Sequence, residues 1–188
     1  PCIDGPCDRN ADAASTSANP SSRTTTPTKL RLIVVIRLLP FDVIAMNVTI
    51  IAAIKHNLSQ LRKLIRPACR LCVTVKANAY GHGMLEVAAA LESCAAAFAV
   101  ATLDEAVVLR AAGVDKDILV LEGVNSADGY REAEADGLTL AVNSREQVEL
   151  ALGSGTPTWI KVDTGMGRLG LHHEDLEETL RVVSGYTS

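Results

Sequence analysis

The chain has 188 residues, of which 48% are apolar and 21% are charged, and its formal net charge at pH 7 is -4. This mildly acidic balance argues against a nucleic-acid-binding protein, because such proteins need a basic surface for the phosphate backbone. The length suits one domain with or without a tail, and it is short for a closed (β/α)8 barrel of roughly 250 residues.

The first 45 residues differ in composition from the rest of the chain. Residues 1–29 are rich in Ser, Thr, Asn, Asp and Pro, which predicts disorder. Residues 30–39 form an apolar block with two arginines, too short to span a bilayer. The first methionine is Met46. We therefore expect residues 1–45 to be a disordered or non-native leader. Because no targeting signal is convincing, we also expect the protein to be cytoplasmic.

From Met46 onward, apolar runs alternate with helical patterns. Residues 47–51 predict a short strand and residues 52–65 a helix, which Pro67 ends. Five further strands are predicted at 71–75, 97–101, 118–121, 138–142 and 158–162. Helical patterns follow them at 84–94, 103–112, 126–135, 144–152 and 174–183. Alternation at this spacing predicts βα units and a parallel sheet.

Helix-boundary signals support this alternation. Two pairs have capping-box spacing, namely Thr102 with Glu105 and Ser144 with Gln147. Three glycines stand where helix ends favour a left-handed residue: Gly113, Gly137 and Gly153. Five βα units fit either an open doubly wound sheet or part of a barrel, and periodicity alone does not choose between them.

The first candidate site is the segment Val-Lys-Ala-Asn-Ala-Tyr-Gly-His-Gly at residues 75–83. Because side chains alternate along a strand, Lys76 shares a face with Cys72 and Thr74 and points along the inner face. Active sites of such folds lie at the carboxyl ends of strands, where a desolvated lysine can form Schiff bases. Tyr80 could donate its hydroxyl to a phosphate. The alternatives to these functional roles are that Lys76 is a surface lysine at a strand end and that Tyr80 is a half-buried loop tyrosine.

The second candidate site is the segment at residues 159–168. Lys161 shares a face with Trp159 and points inward near the end of the predicted strand at residues 158–162. Lys161 and Arg168 are like charges, so they need an anion between them or a modification of one. A neutral lysine amine can add carbon dioxide, and the resulting carbamate could pair with Arg168. A lysine that reaches solvent beside a glycine-rich phosphate loop is the alternative.

The cysteines do not predict a metal or disulfide framework. Cys69 and Cys72 form a Cys-x-x-Cys pair, but no second pair and no His-x-x-x-His accompanies it. We expect buried reduced thiols and no metal site.

Together, the two candidate segments resemble bacterial alanine racemases. The resemblance rests on Val-Lys-Ala-Asn-Ala-Tyr-Gly-His-Gly, followed by Lys-Val-Asp-Thr-Gly-Met-Gly-Arg-Leu-Gly. Lys-His-Asn-Leu near the start and Ala-Thr-Leu-Asp-Glu-Ala at residues 101–106 extend it. It covers residues 46–188 and implies an α/β fold, the N-terminal portion of a TIM-like (β/α)8 barrel with about five of its eight βα units.

The resemblance also implies a role for each candidate residue. Lys76 would carry pyridoxal 5′-phosphate as an internal aldimine and act as one of two catalytic bases. Tyr80 would bind the cofactor phosphate. Lys161 would be a carbamyl-lysine that holds Arg168, which would contact the cofactor phenolic oxygen and the substrate carboxylate. The implied activity is the interconversion of L-alanine and D-alanine by a homodimer, which supplies D-alanine for peptidoglycan.

The sequence departs from the family in three places. The leader has no family counterpart, residues 49–52 lack a common acidic residue, and the last barrel units and the C-terminal β-domain are missing. We therefore expect these 188 residues alone to be inactive. Because two strand edges and an apolar rim would be exposed, we expect the chain to aggregate, associate or populate a loose state.

Other functions stay open at this point. A barrel-type homeostasis protein or amino-acid decarboxylase would share the Schiff-base lysine, but not the stretch from Lys161 to Arg168. Serine and broad-specificity racemases fit the same motifs. A non-catalytic truncated product and a phosphate-binding enzyme without pyridoxal phosphate are the remaining alternatives.

Overall fold

The computed structural model describes residues 33–34 and 46–186, and within them strands and helices alternate. The strands are β1 (Ile33–Val34), β2 (Cys72–Thr74), β3 (Ala97–Val100), β4 (Asp117–Val120), β5 (Thr139–Val142) and β6 (Thr158–Ile160). The helices are α1 (Met46–Leu64), α2 (Lys76–Gly81), α3 (Met84–Leu91), α4 (Leu103–Ala111), α5 (Ala127–Ala135), α6 (Arg145–Leu152) and α7 (His173–Tyr186).

The strand order decides between the two architectures that the periodicity left open. The described strands form one sheet in the order β1-β2-β3-β4-β5-β6, and each neighbouring pair is parallel. A doubly wound sheet reverses its order at a switch point, whereas a (β/α) barrel keeps the order of the chain. The predicted fold class, part of a TIM-like barrel, is confirmed.

Side chains of the strands divide between an outer and an inner layer, as the alternation predicted. Val73, Phe98 and Val120 pack outward against the helices in the main hydrophobic core. The inner face carries a smaller cluster: Cys72, Ala99, Leu119 and Ala141, with Trp159 beside them. Burying a large apolar side chain contributes about 1.5–3 kcal/mol, so the outer layer fixes which face of each strand points inward.

The predicted strand at residues 47–51 is wrong, because these residues belong to helix α1. The run Val-Thr-Ile-Ile is β-branched, which favours a strand locally. However, Ile54 and Leu58 are buried four residues apart, and Ile50 packs against the same core. This helical stripe on the sheet outweighs the local preference for a strand.

The helix-boundary predictions hold in part. The hydroxyls of Thr102 and Ser144 each accept a hydrogen bond from the third residue of the helix that follows, at 3.4 and 3.3 Å. Gly113 and Gly137 are left-handed, with φ of 87° and 60°. Gly153 has φ of -87°, so its predicted left-handed conformation is wrong.

The apolar block of the leader contributes a strand that the sequence analysis did not assign. Ile33 pairs with Cys72 and Val34 with Val73, which makes β1 the neighbour of β2. The other residues of the predicted leader lie outside the described residues. The domain boundary at Met46 therefore stays a prediction.

Candidate active site

The four candidate residues of the sequence analysis meet at the carboxyl edge of the sheet. Lys76 comes two residues after the end of β2, and Lys161 follows β6 directly. Arg168 and Lys76 both act electrostatically on Lys161, and Arg168 also acts on Tyr80. Residues far apart in the sequence thus form one cluster with excess positive charge.

The environment of Lys161 shifts its titration toward the neutral amine. Burial is the main cause that lowers the pKa of Lys161, and repulsion from Arg168 and Lys76 lowers it further. Asp163 and Glu122 oppose this effect. A lowered pKa leaves more neutral amine at a given pH. Since the neutral amine is the form that adds carbon dioxide, this environment is compatible with a carbamate.

We expect Arg168→Ala to raise the pKa of Lys161, because the substitution removes a neighbouring positive charge. The fraction of neutral Lys161 at a fixed pH then falls. Trace acetylation followed by peptide mapping measures this as a labelling midpoint at higher pH. The control is Arg131→Ala on an exposed face of α5, which should leave the midpoint unchanged. A midpoint in Arg168→Ala equal to that of the wild type would contradict the expectation.

Within the short element α2, the residues after Lys76 are not α-helical and form a left-handed turn. Ala77, Asn78, Ala79 and Tyr80 have φ between 51° and 56°. Left-handed backbone costs about 1–2 kcal/mol for each such residue, so neighbouring contacts must hold it. Asn78 supplies two contacts, because its carbonyl accepts from the Gly83 amide at 3.0 Å and its Oδ1 from the Met84 amide at 2.8 Å. Such strain clusters at functional sites.

Tyr80 lies at the end of this turn with its side chain half-buried. Burial raises the pKa of the Tyr80 hydroxyl, and Arg168 lowers it to a smaller extent. The hydroxyl therefore keeps its proton at neutral pH and can donate a hydrogen bond to an anion.

Asp163 shapes the loop that carries Arg168, a role that the sequence analysis did not assign. Its carboxylate accepts hydrogen bonds from the amides of Gly165, Met166 and Gly167 at 2.8–2.9 Å. These bonds lower the pKa of Asp163. The ends of the loop are also tied, because the Leu171 amide donates to the Lys161 carbonyl at 2.8 Å. The loop therefore has a defined shape beside Lys161.

Two further polar side chains at this edge were not among the candidate site residues predicted from the sequence. Thr74 and Asn143 are 4% and 8% exposed. Their Oγ1 and Oδ1 atoms are buried without a hydrogen-bond partner in the part of the chain that the structure describes. Such atoms are costly in a finished core. The alternation that placed Lys76 inward also places Thr74 there, so the sequence contained the signal for Thr74.

A membrane-spanning helix and a metal-binding cluster are two features that residues 33–34 and 46–186 lack. None of the helices there combines the length and hydropathy needed to cross a membrane. Within the same residues, no three His, Cys, Asp or Glu side chains come together as a metal site would require.

Comparison with known proteins points to one family. Residues 51–186 match the family model described as alanine racemase, N-terminal domain. The biosynthetic alanine racemase of Escherichia coli O6:H1 is 46% identical over 129 residues, which are 66% of this chain and 35% of that protein. The chain thus spans about a third of the length of the curated relatives it matches.

Solved structures agree. The biosynthetic alanine racemase from Pseudomonas aeruginosa matches with a TM-score of 0.65 and 38% identity, over 71% of this chain and 38% of that one. The alanine racemase from Bacillus anthracis, solved with bound L-Ala-P, matches with a TM-score of 0.64 and 35% identity, over 72% of this chain and 36% of that one.

Proposed function

This chain belongs to the alanine racemase family, and we propose that residues 46–188 form the cofactor-binding part of an enzyme that interconverts L-alanine and D-alanine with pyridoxal 5′-phosphate. The observation that carries the proposal is the meeting of Lys76, Tyr80, Lys161 and Arg168 at one edge of the sheet. The proposed homodimer and the supply of D-alanine for peptidoglycan rest on family membership alone.

The residues at this edge fit pyridoxal phosphate. Lys76 offers a primary amine for the aldehyde, and the Tyr80 hydroxyl can donate to the phosphate. The excess positive charge favours an anionic ligand. The buried, unpartnered Oγ1 of Thr74 and Oδ1 of Asn143 offer polar contacts to a bound group.

Each residue would have a distinct part in the reaction. The cofactor, when bound, withdraws electrons from the α-carbon of an attached amino acid and makes its α-proton acidic. Nζ of Lys76 would take and return that proton on one face. The guanidinium of Arg168 would hold the substrate carboxylate, so that the α-proton faces Lys76. A carbamate on Lys161 would pair with Arg168 and fix its position.

Borohydride trapping tests the proposal. Pyridoxal phosphate is added to the chain, the sample is reduced, and the labelled lysines are mapped, with circular dichroism as a check of folding. We expect the label on Lys76, because its position at a strand end presents the amine to the site. Equal labelling of exposed lysines such as Lys63, or no label in a folded sample, would contradict the proposal.

A further inference from the structure

The carboxylate of Glu105 joins the carboxyl ends of two neighbouring strands. Its Oε1 accepts a hydrogen bond from the Ala77 amide at 2.6 Å, and its Oε2 accepts one from the Ala101 amide at 2.8 Å. Ala77 directly follows Lys76, and Ala101 directly follows β3. Glu105 therefore contacts the backbone beside the candidate Schiff-base lysine, although it lies on α4.

A carboxylate is the side chain that these contacts require. The Ala77 and Ala101 amides are both donors, so a side chain that bridges them needs two acceptor atoms. A comparable bridge occurs two units later at Gln147, whose Oε1 accepts from the Asn143 amide at 2.7 Å while its Nε2 donates to the Glu122 carbonyl at 3.0 Å. There one partner is a carbonyl, and an amide fits. The difference in partners explains Glu at one position and Gln at the other.

The bridge fixes the backbone on the far side of Lys76. On the near side, Val75 is fully buried and its amide donates to the Ala99 carbonyl at 2.8 Å. On the far side, Ala77 begins the left-handed turn, and its amide is held by Glu105. Lys76 therefore lies between two anchored residues, which sets the direction in which its side chain leaves the strand.

We propose that Glu105 is a positioning residue, which holds the Ala77 amide and so aims the Lys76 amine at the cofactor. This inference rests on the proposed function, since it assumes that Lys76 captures pyridoxal phosphate. Both carboxylate oxygens of Glu105 accept from backbone amides, so Glu105 would act on Lys76 through the backbone.

Glu105→Gln tests the inference, because it keeps the size of the side chain and removes one of the two acceptors. We expect the capture of pyridoxal phosphate at Lys76 to fall about ten-fold, the scale of a lost hydrogen bond to a charged group. Labelling of exposed Lys63 in the same sample should not change, and neither should circular dichroism. The matched control is Asp104→Asn, which removes an exposed charge in the same helical turn and should capture like the wild type.

The outcomes separate this inference from the proposed function. No capture at Lys76 in the wild-type chain would overturn the proposed function and the role of Lys76 on which the inference rests. Wild-type capture with equal capture in Glu105→Gln would overturn the inference alone. Glu105→Asp is a second variant, which keeps the charge and shortens the reach, and it should also capture less. Unfolding of both variants would overturn the inference, since Glu105 would then serve overall stability.

Discussion

Lys76→Ala is expected to abolish the capture of pyridoxal phosphate at the candidate site. The substitution removes the primary amine that would attach the cofactor, and a label on the neighbouring amine of Lys161 would map to a different peptide. The measurement is borohydride trapping with peptide mapping, in which the label on the peptide containing residue 76 should fall to background. This is the largest functional effect we expect from a single substitution, because the attachment is lost rather than weakened.

Two variants separate the amine from other effects of Lys76. Lys76→Arg keeps the positive charge that acts on Lys161 but cannot attach the cofactor, so it should fail as Lys76→Ala does. Lys63→Ala, on the exposed face of α1, should capture like the wild type. Capture in Lys76→Arg at the wild-type level, with the label on another lysine, would move the site elsewhere.

Gly123→Ala is expected to cause the largest loss of stability. Gly123 has φ of 67°, and a Cβ there would overlap the backbone carbonyl oxygen of Ala141 and lie 3.0 Å from Nε2 of Gln147. Left-handed strain and overpacking together predict a loss of about 2–4 kcal/mol. Because the clash displaces backbone rather than a flexible side-chain end, relaxation is limited. Urea unfolding followed by circular dichroism should show a clearly lower midpoint.

Gly137→Ala is the matched control for this prediction. Gly137 has a similar φ of 60°, but a Cβ there would meet no atom within 4 Å. The free energy of unfolding of Gly137→Ala should fall only by the cost of the left-handed backbone, about 1 kcal/mol. Equal midpoints for the two variants would show that the overlap with the Ala141 carbonyl oxygen does not contribute to the loss of stability in Gly123→Ala.

The layers of the sheet could be predicted from the sequence because they follow from local pattern. Alternation along 71–75 placed Val73 outward and Cys72 inward, and the structure confirms both. The ends of the apolar runs at residues 71–75 and 158–162 predicted that Lys76 and Lys161 lie at strand ends. The helix at residues 46–64 was missed in part, since its first residues are β-branched and only their packing against the core makes them helical.

The interactions of Glu105 show why the site could not be predicted in full. Capping-box spacing correctly predicted that its amide donates to Thr102. The same motif sends the carboxylate to its own helix start, whereas it reaches Ala101 and Ala77. That reach depends on β2 and β3 lying side by side. No local pattern contains that information.

By itself, the sequence determined the βα repeat and the positions of Lys76 and Lys161 at strand ends, and it contains the motifs that indicate the family. These are properties of residues close together in the chain, which period and composition record. Only the tertiary structure decided the strand order, the left-handed turn after Lys76 and the cluster with Tyr80 and Arg168. These depend on contacts between distant segments, whose energies must exceed the chain entropy and backbone strain that they cost.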